Sequence, residues 1–359
     1  MGDPIFDSYM GRGPKKIAHW EHWSNPDAET YLTGIDYFEH PRLCRLRLNE
    51  LYPELRLPVP ATDTPVPEPD ASVSADHEAA TVRWGDRQSA TWVHGEAFFP
   101  DPESVFSFSP LEHADFRGWP HVIECADMTS EDAVYARYRP LLPANREKAP
   151  EGSPDYVWYY NTMFMWPLLT FGWENFIICS LDDRFARIME EFREINRRVF
   201  RAFARLPVNF ILCHDDIVTT RGPSFSPEWM RRYIFPAYEE FWGIVRASGK
   251  EVLFMADGCM DAHVDDIMAL GARGIISEPY TDYRRIARKY KDCFIAGEGD
   301  NRILSGGDKN DIRKMVMKMA ETGRMSGGYM MCVGNHIPWN VPGESVKLYL
   351  EYSRELAIR

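Results

Sequence analysis

The residues most able to do chemistry in this 359-residue chain follow five short apolar runs, each of which ends in polar side chains. In chain order these polar residues are His214, Asp215 and Asp216; Asp257 and Cys259; Glu278; Glu298 and Asp300; and Cys332, Asn335 and His336. Imidazole, thiolate and carboxylate groups together are typical ligands of Zn²⁺. Converging carboxylates also repel one another unless a proton or a cation neutralises them. Because the chain has no CxxC or HxxxH spacing, a zinc site requires a fold that gathers distant segments.

The apolar runs have the length of buried strands, and amphipathic helical segments separate them. The runs cover residues 208–213, 252–255, 274–276, 293–296 and 329–332. Short strands that alternate with helices predict parallel βα units, and three further runs at 17–20, 121–126 and 157–160 would complete a (β/α)8 barrel of the α/β class. In such a barrel the C-terminal ends of the strands form the active site, so the polar residues would converge. A doubly wound open sheet is the alternative, but no GxGxxG motif follows any strand.

The N-terminal third has a different pattern. A helical segment is predicted over residues 26–51, and a stretch rich in proline and small polar residues follows at 58–76. Residues 81–92 have the pattern of a hairpin, with its turn near residues 85–86. The sequence therefore predicts one barrel domain over residues 1–359, with an insertion at 52–118 that holds a loop and a β-hairpin.

Composition and charge narrow the class of protein. The 41 basic and 54 acidic residues give a net charge of −13, which argues against nucleic acid as a partner because phosphates would be repelled. No apolar stretch has the length of a membrane span, and no secretory signal is visible. Seven cysteines without a CxxC pair fit a reduced compartment. We therefore expect a cytoplasmic protein that binds neither nucleic acid nor a membrane.

Four segments of the chain carry a family resemblance. They are HDDIVTTRGPSFSPE at 214–228, the stretch from Arg231 to Tyr238, SGKEV at 248–252, and IPWNVP at 337–342. Over roughly residues 155–357 the chain resembles the uroporphyrinogen decarboxylase superfamily. The members of that superfamily are (β/α)8 barrels in two main branches, which are haem-pathway decarboxylases and methyltransferases that exchange a methyl group with a corrinoid protein.

Departures from the family patterns favour one kind of methyltransferase. The decarboxylases carry an arginine-rich segment near the N-terminus, whereas residues 15–23 here read KKIAHWEHW, and they carry a histidine at the position aligned with Asn335. The zinc methyltransferases carry a His-x-Cys pair after the strand aligned with 252–255, but this chain has Met255 and Asp257 there. The resemblance is therefore to methyltransferases that demethylate aromatic ethers rather than to those that activate a thiol.

This resemblance implies a zinc cofactor and a set of site residues. The expected residues are Asp257, Glu278 and Cys332 as metal ligands; Glu298 or His336 as a fourth ligand or substrate contact; His214, Asp215 and Asp216 in catalysis; and Tyr160, Trp166 and Asn335 in substrate binding. Because side chains alternate along a strand, at most one of Asp215 and Asp216 is expected to face the barrel mouth.

The expected reaction transfers a methyl group from an aromatic methyl ether to the cob(I)alamin of a separate corrinoid protein. A separate partner is expected because the chain's nearest match to the cobalamin-binding motif DxHxxG, at 261–266, has aspartate in place of glycine and falls in a predicted helix. Three alternatives stay open. They are another methyl donor such as a methylamine, a betaine or a thiol; a decarboxylase of an aromatic or porphyrin acid; and a non-catalytic binding protein.

Overall fold

The computed structural model describes residues 3–66, 81–84, 87–90, 99–117, 126–148, 151–160 and 162–359. The strands in these ranges are β1 (Ala18–His19), β2 (Trp23–Ser24), β3 (Thr81–Trp84), β4 (Arg87–Ala90), β5 (Tyr156–Tyr159), β6 (Phe210–His214), β7 (Val218–Thr219), β8 (Gly222–Pro223), β9 (Glu251–Met255), β10 (Gly274–Ile276), β11 (Phe294–Ala296), β12 (Gly328–Met331) and β13 (Ile337–Pro338).

The helices in the same ranges lie mostly between these strands. They are α1 (Pro4–Tyr9), α2 (Pro26–Thr33), α3 (Pro41–Leu51), α4 (Pro102–Phe106), α5 (Glu131–Tyr138), α6 (Leu142–Lys148), α7 (Met165–Phe171), α8 (Trp173–Cys179), α9 (Phe185–Arg205), α10 (Pro227–Tyr233), α11 (Phe235–Ala247), α12 (Val264–Ala269), α13 (Tyr283–Lys289), α14 (Asn301–Gly306), α15 (Lys309–Met325) and α16 (Gly343–Leu356). None of the helices in the described ranges has the length and apolar character that a membrane crossing requires.

The chain divides into two compact units. Unit 1 consists of Met1–Val93, Glu147–Ser153 and Ser277–Arg359, and unit 2 consists of His94–Arg146 and Pro154–Ile276. The assignment of one domain with an insertion at 52–118 stays a prediction.

Unit 2 contains four parallel strands in the order β5, β6, β9, β10. One face of these strands is covered by helices, as parallel strands require. On that face the hydroxyl of Tyr159 in β5 donates to Asn196 Oδ1 of α9 at 2.8 Å. Side chains alternate along a strand, so the neighbours of Tyr159 in β5 point to the opposite face. That opposite face carries the site described below.

Unit 1 contains three parallel strands in the order β1, β12, β11. It also contains the antiparallel pair β3 and β4, in which Trp84 lies opposite Arg87. The predicted hairpin is therefore present, and the two residues between its strands lie outside the described residues.

The predicted βα alternation is confirmed over residues 208–332, where the five predicted strands are β6, β9, β10, β11 and β12. The run at 17–20 contains β1 and the run at 157–160 overlaps β5, whereas all of the predicted strand at 121–126 except Ala126 lies outside the described residues.

Two helix predictions need correction. The segment at 26–51 forms two helices, because Gly34 ends α2 in the left-handed conformation at φ 70° and Pro41 begins α3. The motif at 261–266 is only partly helical, because α12 begins after His263.

Candidate metal centre

The candidate site forms where β6 and β9 end side by side. The two strands pair in parallel, with His214 opposite Met255, so the loops that follow them leave from the same edge. The backbone N–H of Asp257, in the loop after β9, donates to Oδ1 of Asp216, in the loop after β6, at 2.8 Å. This hydrogen bond ties the two loops together and brings their carboxylates close to each other.

His214 completes a cluster with these two aspartates. Its Nε2 atom lies 3.0 Å from Oδ1 of Asp216, and one ligand atom from each of His214, Asp216 and Asp257 lies within 4.8 Å of the other two. It is the one group of three His, Cys, Asp or Glu residues among the described residues that meets this spacing. One imidazole nitrogen and two carboxylate oxygens form a donor set that Zn²⁺ accepts. We call these three residues the metal cluster.

The surroundings of the metal cluster shift the pKa values of Asp257 and His214. Burial and, to a smaller extent, the negative charge of Asp216 together raise the pKa of Asp257 to about 6. Burial lowers the pKa of His214, but the hydrogen bond to Asp216 and the nearby carboxylates outweigh this effect, so its pKa is raised overall. The raised pKa of His214 follows from the carboxylates around it, which favour a positive charge on a proton or a bound cation at this site.

Tyr160 borders the metal cluster, as expected for a substrate-binding residue. Its hydroxyl donates to Oδ2 of Asp216 at 3.4 Å, and its ring centroid lies 4.2 Å from that of His214. Burial, followed by the charges of Asp216 and Asp257, raises the pKa of the Tyr160 hydroxyl above its ordinary value. The hydroxyl is therefore protonated at neutral pH and acts as a hydrogen-bond donor.

Asp215 has a different environment from its neighbour Asp216. It is completely buried and accepts hydrogen bonds from the backbone N–H groups of Met163, Phe164 and Met165 and from the Tyr238 hydroxyl. Of the two aspartates, only Asp216 belongs to the metal cluster, in agreement with the expected alternation. The contacts of Asp215 fix the segment that leads into α7.

Trp166 also lies outside the metal cluster. It is fully buried in α7, where its ring contacts Phe116, Tyr159 and Phe192. Tyr159 belongs to the helix-covered face of β5, so Trp166 packs on that side of the strand.

The remaining expected site residues belong to unit 1, and none of them is in the metal cluster. Glu298 is buried and accepts hydrogen bonds from the hydroxyls of Tyr329 at 2.9 Å and Thr322 at 3.2 Å. It also forms an ion pair with Lys318, whose Nζ lies 3.3 Å from Oε1 of Glu298. Burial raises the pKa of the Cys332 thiol well above its usual range.

Three more of these residues lie in loops of unit 1. Asn335 has a left-handed backbone at φ 63°, and its Oδ1 lies 2.6 Å from Nδ1 of His336. Glu278 is half-buried in the loop that follows β10. Glu278 and Cys332, which were expected as metal ligands together with Asp257, are not among the three residues of the metal cluster.

Two notable residues, Trp158 and Glu21, were not among the expected site residues. Trp158 of β5 stacks on His214, with ring centroids 6.0 Å apart and planes 22° apart. Its position two residues before Tyr160 is the signal that would have placed both on one strand face. Glu21 is buried in unit 1, where it accepts hydrogen bonds from His19, Tyr349 and the Val333 N–H.

Comparisons with known proteins give one family and a full-length likeness in fold. A family model described as uroporphyrinogen decarboxylase (URO-D) matches residues 177–356, which is half of the chain. The structure is similar to that of a methyltransferase from Methanosarcina mazei, with a TM-score of 0.54 and 15% identity over 98% of this chain and 97% of that one. These two matches confirm the predicted α/β barrel class.

A weaker likeness is to D-psicose 3-epimerase from Clostridium cellulolyticum H10. The two structures have a TM-score of 0.31 and 10% identity over 48% of this chain and 73% of that one. No curated protein matches the sequence.

Proposed function

We propose a methyltransferase function for this chain, which belongs to the uroporphyrinogen decarboxylase family. The observation that carries the proposal is the metal cluster, in which two carboxylates and one imidazole meet at the ends of two adjacent parallel strands. The likeness in fold to the Methanosarcina mazei methyltransferase supports the choice of this activity within the family.

The proposed methyl donor is an aromatic methyl ether, and the proposed acceptor is the cob(I)alamin of a separate corrinoid protein. The aromatic rings of Tyr160 and Trp158 beside His214 support a flat apolar donor. An aryl ether is a poor methyl donor because its leaving phenolate is basic. A Zn²⁺ ion held by His214, Asp216 and Asp257 would supply a Lewis acid that stabilises a developing phenolate.

The residues around the metal cluster hold its carboxylates in place. Asp216 receives hydrogen bonds from the Tyr160 hydroxyl and the Asp257 N–H and lies within hydrogen-bond distance of His214. A carboxylate fixed from three sides loses little conformational freedom when it binds a cation. Tyr160 keeps its proton at neutral pH, and its hydroxyl donates the hydrogen bond to Asp216.

A decarboxylase is the second candidate, because the matching family model is described by that activity. The charge of the metal cluster argues against it. Asp216 and Asp257 would repel a substrate that carries several carboxylates, and residues 15–23 offer no arginine to bind them. Release of CO₂ from a carboxylated aromatic compound without any corrinoid would favour this second candidate.

The proposed reaction can be tested anaerobically with zinc-loaded enzyme, 2-methoxyphenol and a cob(I)alamin-carrying protein. We expect release of catechol and conversion of the cob(I)alamin spectrum to that of methylcob(III)alamin. Asp216→Asn should lower kcat on the order of 10²-fold, while Asp183→Asn, at an exposed position, serves as the matched control. His263→Ala should leave the transfer essentially unchanged, because the corrinoid is proposed to reside on the partner.

Other outcomes would overturn the proposal in distinct ways. Methyl transfer from methylamines or betaine, and not from methoxyphenols, would contradict the proposed donor. Cobalamin that copurifies with this chain and is lost in His263→Ala would contradict the separate partner. Release of CO₂ with no methyl transfer from any donor would contradict the methyltransferase itself.

A further inference from the structure

Trp158 has an exposure that is unusual for its place in a strand. Its side chain is 39% exposed, whereas Val157 and Tyr159 on either side of it are fully buried. Tyr159 faces helix α9, so Trp158 lies on the opposite face of β5. An indole that is more than a third exposed within a strand offers apolar aromatic surface to a ligand.

The surface of Trp158 adjoins the metal cluster. Its ring lies nearly parallel to the imidazole of His214, at a centroid distance of 6.0 Å. Nε2 of that imidazole lies 3.0 Å from Asp216. A ligand that contacts the indole face therefore lies next to a proposed metal ligand.

We propose that Trp158 is a specificity-determining residue that binds the aromatic ring of the methyl donor by stacking. This inference rests on the proposed function, because the ring is taken to be that of an aryl methyl ether. Indole offers the largest aromatic face among side chains, and aromatic pairs prefer offset stacked or edge-to-face arrangements. The ligand class is therefore a methoxylated aromatic compound, whose flat ring can stack on the indole.

A competing ligand class follows from the same residues. A quaternary ammonium group is attracted both to an indole face and to carboxylates. The experiment must therefore compare a neutral aromatic probe with a cationic one. A third probe of similar size that lacks a flat ring separates stacking from apolar contact.

The test measures binding by calorimetry to zinc-loaded enzyme without any corrinoid, with 2-methoxyphenol, methoxycyclohexane and tetramethylammonium as probes. Trp158→Leu should weaken binding of 2-methoxyphenol about five- to tenfold and leave that of methoxycyclohexane within about twofold. Trp158→Phe should restore most of the affinity, because it keeps a flat face. Tyr31→Leu is the matched control, since Tyr31 is an aromatic residue that is 54% exposed on α2.

Three results would overturn the role of Trp158. They are failure of 2-methoxyphenol to bind the wild type, equal losses for 2-methoxyphenol and methoxycyclohexane in Trp158→Leu, and a Trp158 dependence confined to tetramethylammonium. Zinc content measured in each variant excludes an indirect effect through the metal cluster.

Failure of this inference is distinguishable from failure of the proposed function. If 2-methoxyphenol binds in a Trp158-dependent way but no methyl transfer occurs, the role of Trp158 in ring binding is supported and the proposed reaction is contradicted. If methyl transfer occurs and Trp158→Leu leaves KM unchanged, the proposed reaction is supported and the role of Trp158 in ring binding is contradicted. The inference predicts a raised KM in Trp158→Leu with kcat within about twofold of wild type.

Discussion

Carboxylates follow or adjoin parallel strands in both units, but their surroundings differ. In unit 2, Asp216 and Asp257 lie together with a single imidazole from His214. In unit 1, Glu21 and Glu298 are each buried within a separate set of protein donors. The first arrangement brings two negative charges together, whereas the second surrounds each negative charge with hydrogen-bond donors.

This difference shows that a carboxylate near a strand end is not by itself a ligand site. Glu298 accepts hydrogen bonds from the hydroxyls of Tyr329 and Thr322 and pairs with Lys318, so its oxygens already have donors within the protein. Asp216 and Asp257 raise each other's energy when both are ionised, and a divalent cation would remove that cost. The same contrast separates the neighbours Asp215 and Asp216 within unit 2.

The largest effect is expected at Asp215. Asp215→Ala removes the acceptor of three backbone N–H groups and of the Tyr238 hydroxyl, so it should lower the free energy of unfolding by about 3–5 kcal/mol. Asp216→Ala should cost less than about 1 kcal/mol in metal-free protein, because it relieves repulsion with Asp257. Urea unfolding of both variants measures the difference, and equal losses would contradict the assigned roles.

A smaller loss of stability is expected in unit 1. Glu21→Ala leaves three buried donors, on His19, Tyr349 and Val333, without their acceptor and should lower the free energy of unfolding by about 2–3 kcal/mol. Zinc affinity should stay unchanged, since Glu21 is not in the metal cluster. Urea unfolding and zinc titration of the same sample check both statements, and a loss of zinc would show that Glu21 belongs to the metal site.

The smallest effect concerns pH and Glu298. Burial raises the pKa of Glu298, although Lys318 and the hydroxyls of Tyr329 and Thr322 act in the opposite direction. The folded state therefore holds this proton more tightly than the unfolded state, and its contribution to stability falls as pH rises from 4.5 through the raised pKa.

Glu298→Gln lacks this titration, so its stability relative to wild type should increase with pH over that window. Urea unfolding at a series of pH values tests the sign. A relative stability that decreases with rising pH would show that the donors around Glu298 outweigh its burial.

Much of the fold could be predicted because its signals are local. Apolar runs that end in polar residues predicted the parallel strands β6, β9, β10, β11 and β12. The break at Gly34 was missed because helical periodicity continues on both sides of it. Helix propensity reflects the preference of a whole segment and does not predict the backbone angle of a single glycine.

The candidate site was predicted only in part, because strand register is not a local property. Asp257 was expected to act with Glu278 and Cys332, but the pairing of His214 with Met255 brings it to Asp216. Which face of β5 is covered by helices also depends on tertiary packing. This is why the sequence did not distinguish Trp158 from Trp166 as a ring-binding residue.

Binding of one divalent cation by the metal cluster can be measured by zinc titration of the metal-free protein. Wild type should bind about one zinc per chain, with affinity reduced on the order of 10²-fold or more in Asp216→Asn and Asp257→Asn and unchanged in Cys332→Ala and Asp183→Asn. Zinc binding that survives in Asp216→Asn but is lost in Cys332→Ala, or no zinc binding by the wild type, would contradict it.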